Sequence, residues 1–140
     1  MQTISTGNLA TEKDHQPIEE PSIGHVLPRV SPVNDERVAD ICECVMDLTA
    51  ALFNVSGKEL RSPGRSSTSV ARVRQIGMYV AHAMLRLNMT EVGRGFGRDR
   101  TTVMHACHMI EDMREDPDFD QIIIMAERVT AAAFRQMEVR

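Results

Sequence analysis

The stretch Thr90-Glu91-Val92-Gly93-Arg94-Gly95-Phe96-Gly97-Arg98-Asp99-Arg100-Thr101-Thr102-Val103-Met104-His105-Ala106-Cys107-His108-Met109-Ile110-Glu111-Asp112-Met113 has the layout of two helices joined by a tight turn. Asn88-Met89-Thr90-Glu91 has capping-box form and opens a short helix that Gly93, Gly95 and Gly97 keep from running far. Asp99 then caps a longer helix. On it Val103, Ala106, Cys107, Ile110 and Met113 share one face, while Thr101, Thr102, His105 and His108 lie on the other.

Working outward, the same periodicity recurs on both sides. Val38, Ile41, Cys42, Val45, Leu48 and Leu52 form a stripe along a helix of about five turns, with Asn34 as its cap. Ser56-Gly57-Lys58-Glu59 suggests one further short turn, and Arg61 to Ser69 reads as a polar, basic loop. A second helix is expected from near Ser69. It has Val70, Val73, Ile76, Val80, Met84 and Leu87 on its apolar side, and Arg72, Arg74 and Gln75 off it. Asp116-Pro117 closes the helix that Asp99 opens and starts a last one, since proline suits a first helical position. That helix is expected to turn Phe119, Ile122, Ile123, Ala126, Val129, Ala133 and Met137 inward. The fold class is therefore all-α, a bundle of about five helices containing a helix-turn-helix. Residues 1–34, with Pro17, Pro21, Pro28 and Pro32 and no helical or strand period, read as a flexible tail. The main domain is expected over 35–115, with residues 116–140 as a C-terminal helix packing on it.

Net charge is −4, but its distribution is uneven. Residues 1–60 carry 4 basic and 10 acidic side chains, 61–114 carry 9 and 4, and 115–140 carry 3 and 6. All nine central cations are arginine, whose planar fork suits phosphate and guanine edges, so the middle block points to a polyanion. In a helix-turn-helix the second helix enters the major groove with its N-terminal residues against base edges. Arg98 or Arg100 could chelate guanine, Asp99 could accept from cytosine or adenine amino groups, and Thr101 and Thr102 could pack on thymine methyls. The same spacing also fits an ordinary helical hairpin with a charged turn.

The residues then reach a resemblance. Ser69-Val70-Ala71-Arg72-Val73-Arg74-Gln75, Glu91-Val92-Gly93 and Phe96-Gly97-Arg98-Asp99-Arg100-Thr101-Thr102-Val103-Met104-His105-Ala106-Cys107 resemble the C-terminal origin-binding domain, domain IV, of the bacterial replication initiator DnaA. That family's hallmark reads F-G-G-R-D-H-T-T-V-x-H-A, and the likeness extends over about residues 35–115. It implies a Trp-repressor-like helical domain that binds short asymmetric boxes in double-stranded DNA, mostly as a monomer, with a dimer left open. By position, the resemblance assigns Arg98, Asp99, Thr101, Thr102 and His105 to the major groove, with Arg100 beside them in place of the usual histidine. Arg74 and Gln75 fall on phosphate-holding positions. Apart from the resemblance, His82, on the exposed side of the second helix, could touch a phosphate or be a plain surface histidine, and Thr90 is a further phosphate candidate. Arg65 is the candidate for the minor groove, about one residue from where the family's arginine falls. One glycine of the F-G-G-R turn is missing.

The 140 residues contain no G-x-x-x-x-G-K-[ST], so the initiator's nucleotide switch is not expected here. No cofactor, metal, nucleotide or membrane partner is expected, and no catalytic arrangement can be argued. Cys42 and Cys107 fall on apolar faces, so Cys42, Cys44, His105, Cys107 and His108 do not read as a zinc site. Met78, Met84, Met104, Met109, Met113 and Met125 read first as core filling. With no secretory pattern at Met1 to Ala10, the expected location is the cytoplasm, at the bacterial nucleoid. The rival expectation is a helical protein–protein adaptor with no DNA contact. It gains if Arg65, Arg74, Arg98 and Arg100 scatter or pair with carboxylates.

Overall fold

Hydrophobic periodicity and side-chain caps set the six helices of the computed structural model, which describes residues 34–138, with side chains described to Gln136. In chain order they are α1 (Asp35–Phe53), α2 (Gly57–Arg61), α3 (Thr68–Ala83), α4 (Met89–Phe96), α5 (Arg100–Met113) and α6 (Pro117–Glu138), and the described residues hold no strand. The expected tail over 1–34 lies outside the described residues except for Asn34. Five of the helices begin at a polar cap. Asn34 accepts from the Arg37 amide, Ser56 from Glu59, Ser67 from Val70, Asn88 from Glu91 and Asp99 from Thr102. At Asn88 the box is reciprocal: the Asn88 amide donates to Glu91 Oε1 at 2.9 Å.

The short turn expected after Val55 is the five-residue helix α2, which completes the bundle of about five helices as six. Helix α3 starts at Thr68, within one residue of the expected Ser69, with Ser67 as its cap in a run of hydroxyl side chains where each could serve.

The core joins α1, α3, α4 and α5 through Val38, Cys42, Val45, Val73, Ile76, Val80, Val92, Phe96, Val103, Ala106 and Ile110, all buried. Fully burying a Val or Ile side chain contributes roughly 1.5–3 kcal/mol, so this stripe supplies most of the driving force. The main contacts run α1 to α4, α3 to α5 and α1 to α3, so the helix-turn-helix rests on a two-helix platform.

α6 packs more lightly, against α1 and α3. Its rotation is set by Arg114, whose Nε donates to Asp120 Oδ1 at 2.5 Å and whose Nη1 reaches Glu127 Oε2 at 2.9 Å and Tyr79 OH at 3.0 Å. With Asp120 and Glu127 held by Arg114, the buried residues of α6 are Ile123, Ala126, Thr130, Ala131 and Phe134. Ile122, expected inward, is 40% exposed, and Phe119, Val129 and Ala133 are only partly buried. The side chain of Met137 lies outside the described residues. No described helix is long and apolar enough to cross a membrane.

Candidate nucleic-acid interface

The turn of the helix-turn-helix depends on two glycines. Gly97 ends α4 in the left-handed region (φ 69°), which a glycine adopts without Cβ strain. Gly93 lets the chain fold back so closely that a Cβ there would lie 2.5 Å from the Arg98 carbonyl oxygen. The Arg98 amide donates to the Gly93 carbonyl at 2.9 Å, and one residue later Asp99 begins α5. The turn therefore needs only Gly97, Arg98 and Asp99 between the helices, one glycine fewer than the resembled hallmark.

Asp99 Oδ1 accepts from the Thr102 amide at 2.7 Å. That amide bond, chiefly, holds the Asp99 carboxyl below the usual carboxylate range, so it stays ionised at neutral pH. The first two turns of α5 leave Arg100, Thr101, Thr102 and His105 exposed, while Val103, Ala106 and Cys107 are buried beneath them. Buried apolar residues at this spacing fix the helix rotation and turn the polar face outward.

Arg74 and Arg98 take up positions that residue type alone does not disclose. Arg74 is only 7% exposed. Its Nε donates to the Leu60 carbonyl at 3.0 Å, its Nη2 to the Glu59 carbonyl at 3.1 Å and its Nη1 to Ser66 Oγ at 3.3 Å. The carbonyls are at the C-terminal end of α2, where the helix leaves acceptors unsatisfied and a cation is favoured. Arg98 Nη2 donates to the Ser62 carbonyl at 2.9 Å, so the helix-turn-helix turn is tied to the basic loop between α2 and α3. Burial, and secondarily the Arg98 charge nearby, lower the pKa of Arg74, although an arginine remains charged.

The two guanidiniums, with Gln75, Thr102 and His105, line a cleft of about 190 Å³ whose other walls are Ala71, Met78, Ala106 and Met109. No carboxylate lines it. Gln75 Oε1 accepts from Arg72 Nη1 at 3.0 Å. Arg65 is exposed in the basic loop, between Ser62, which Arg98 holds, and Ser66, which Arg74 holds. Among the described residues, Arg65, Arg74, Arg98 and Arg100 have no ion pair with a carboxylate. Arg61 instead pairs with Glu43 at 2.7 Å and Asp47 at 2.9 Å, Arg94 with Asp35 at 2.6 Å, and Arg114 with Asp120 and Glu127.

The structure thus brings Arg74, Gln75, Arg98, Thr102 and His105 to one cleft, with Asp99, Arg100 and Thr101 exposed at the adjoining start of α5 and Arg65 in the loop whose ends Arg98 and Arg74 hold. His82 and Thr90 are not among them. His82 is at the far end of α3, two turns or about 12 Å along the axis from Arg74, with Nδ1 2.8 Å from the Leu87 carbonyl. Thr90 is exposed in the first turn of α4, at the same α3–α4 corner. Sequence reasoning missed Ser62 and Ser66 as loop anchors. Only the Ser-Pro-Gly-Arg-Ser-Ser run, with serines on both sides of Arg65, hinted at them.

Comparison with known proteins agrees with this geometry. Residues 42–110 match the family described as bacterial dnaA protein helix-turn-helix. Over 96 residues the chain is 33% identical to the chromosomal replication initiator protein DnaA of Lachnoclostridium phytofermentans, covering 67% of this chain and 20% of that protein. Over 62 residues it is 42% identical to the DnaA of Mycobacteroides abscessus, covering 44% of this chain and 12% of that one. The matched stretches span a fifth or less of these curated relatives.

Proposed function

We propose, from the premise that residues 42–110 are a DnaA domain IV-like helix-turn-helix domain, that this chain binds double-stranded DNA sequence-specifically and regulates transcription or replication initiation at initiator boxes. The observation that carries the reading is a cleft beside the exposed first turns of α5 that Arg74 and Arg98, neither paired with a carboxylate, line together with Thr102 and His105. α5 lies in the major groove with Arg100, Thr101, Thr102, His105 and the outer oxygen of Asp99 toward base edges. A phosphate seats at the cleft between Arg74 and Arg98, where it relieves their mutual repulsion, with Gln75 as a further donor. Arg65 follows the strand into the adjacent minor groove. Thr90 and His82 meet the backbone where α4 crosses it. Because His82 Nδ1 faces the Leu87 carbonyl, any phosphate contact falls to Nε2.

Base reading by these groups needs no nucleotide and no catalysis. One domain contacts one box as a monomer, at the nucleoid. Arg100 is the stronger candidate for a guanine fork, because Arg98 is already committed to Ser62.

The test is fluorescence anisotropy at physiological salt with a duplex carrying an initiator box and a scrambled control. The box is expected to bind at least about 100-fold tighter, and Arg100→Ala should remove about 1–3 kcal/mol of that preference. Equal affinity for the two duplexes overturns the reading and favours the adaptor.

A further inference from the structure

The loop that carries Arg65 is fastened at both ends by groups outside it. Ser62 and Ser67 are the terminal caps of α2 and α3. Arg98, from the turn before the recognition helix, grips the Ser62 carbonyl, and Arg74 grips Ser66 Oγ together with the α2 carbonyls of Glu59 and Leu60. What remains between the clamps is the exposed tip Pro63-Gly64-Arg65. We propose that Arg98 is a positioning residue for Arg65. By holding the Ser62 carbonyl it locks the loop to the start of α5, so that Arg65 and the α5 face meet one duplex in a fixed register.

The chemistry favours this role over direct base reading. A guanidinium bonded to a backbone carbonyl at 2.9 Å, and also facing its neighbour's carbonyl on Gly97 at 3.2 Å, has both terminal nitrogens engaged and its orientation fixed by the protein, so turning its terminal fork to a guanine would break these bonds, while its remaining N–H groups stay open to a phosphate. Left in place, it spares the duplex the ordering of the loop on binding, a saving that preorganised sites realise as affinity. The inference rests on the DNA-binding reading above and adds a division of labour to it: Arg100 and the threonines read, Arg98 aligns.

Two measurements on the full chain test it. The first needs no DNA: trypsin cleavage of the Arg65–Ser66 bond, followed by mass spectrometry. Arg98→Ala should speed this cut severalfold relative to cuts elsewhere, and an unchanged rate overturns the proposal. The second is the box-to-scrambled affinity ratio in a double-mutant cycle. Arg65→Ala and Arg98→Ala should each lower the ratio about tenfold, and the double variant should be no more than about twofold below either. Losses that multiply to about a hundredfold mean that Arg98 reads DNA itself, and overturn the proposal. Arg98→Lys serves if Arg98→Ala does not fold. It keeps one donor to Ser62, so slow cleavage and the ratio should both be retained within about threefold, whereas a bidentate guanine fork is not replaced by lysine. A lost ratio with slow cleavage in Arg98→Lys overturns the proposal. A wild-type protein with no box preference overturns the DNA-binding reading itself, and this inference with it.

Discussion

Replacing Arg74 by alanine should damage the fold more than the proposed DNA contact. The substitution removes three hydrogen bonds, to the Leu60 and Glu59 carbonyls and Ser66 Oγ, and leaves the buried Leu60 acceptor facing an empty space. Hydrogen bonds from a charged donor are worth roughly 1.5–3 kcal/mol each, and an orphaned buried acceptor costs about 1–3 kcal/mol. The loss is offset by the desolvation of Arg74 and its repulsion by Arg98, both of which disfavour its charge. The expected net loss is about 2–4 kcal/mol, or about 10–25 °C in Tm for a domain of this size. Urea unfolding followed by circular dichroism at 222 nm measures it, at 50 mM and 500 mM salt. Because the partners are carbonyl dipoles rather than carboxylates, the loss should be nearly the same at both. Arg74→Lys, with a single ammonium in place of the fork, should recover less than half. A loss under about 0.5 kcal/mol would mean that the guanidinium is not an anchor and serves DNA alone, and would refute the account of how the basic loop is built.

Three other outcomes follow from the same geometry. If only Arg65, Arg74, Arg98 and Arg100 neutralise phosphates, the logarithm of the DNA-binding constant should fall with log salt at a slope near −4, a loss of about 150- to 250-fold between 50 and 200 mM. A slope near −6 would show that Arg61, Arg94 and Arg114 leave their carboxylates to join the interface. Ile123→Ala should destabilise by about 2–4 kcal/mol and Ile122→Ala by less than about 1 kcal/mol, and reversed costs would mean that α6 is turned the other way. Burial pushes the Cys42 thiol up to about 12 and the Cys107 thiol up to about 11, so iodoacetamide at pH 8 should modify the partly buried Cys44 first, with one adduct in intact-mass spectra before the other two.

Helix α5 was legible because its evidence is periodic. Val103, Ala106, Cys107 and Ile110 fall on one face at helical spacing, and the same count that buries them turns Thr101, Thr102 and His105 outward. The caps Asn34, Ser56, Asn88 and Asp99 were legible for a similar reason, since each precedes an apolar period by the distance a side-chain oxygen spans. At Ser67 the signal was ambiguous because four hydroxyl residues follow one another from Ser66 to Ser69. α6 was harder. The run Ile122-Ile123-Ile124-Met125-Ala126 is apolar in every direction, so periodicity cannot choose a face, and the choice falls to Arg114 reaching Asp120 and Glu127. Arg74 and Arg98 were the least legible, since their acceptors are main-chain carbonyls, which every residue carries and no pattern of residue types marks.

The same distinction explains how a chain of net charge −4 can present a face to a polyanion. Total charge weighs every group equally, but at physiological salt a phosphate responds to charges within a Debye length of about 8 Å. Asp35, Glu43, Asp47, Asp120 and Glu127 are spent on Arg94, Arg61 and Arg114. Among the described arginines without a carboxylate pair, Arg65, Arg74, Arg98 and Arg100 lie around the α2–α3 loop and the start of α5, where the Asp99 carboxylate is engaged as a helix cap. Fold and function are therefore coupled at the level of partner choice. Arginines paired with side-chain carboxylates hold helices together with their charge largely compensated, whereas Arg74 and Arg98, paired with neutral carbonyls, hold the loop in place and keep an uncompensated charge for the DNA contact proposed above.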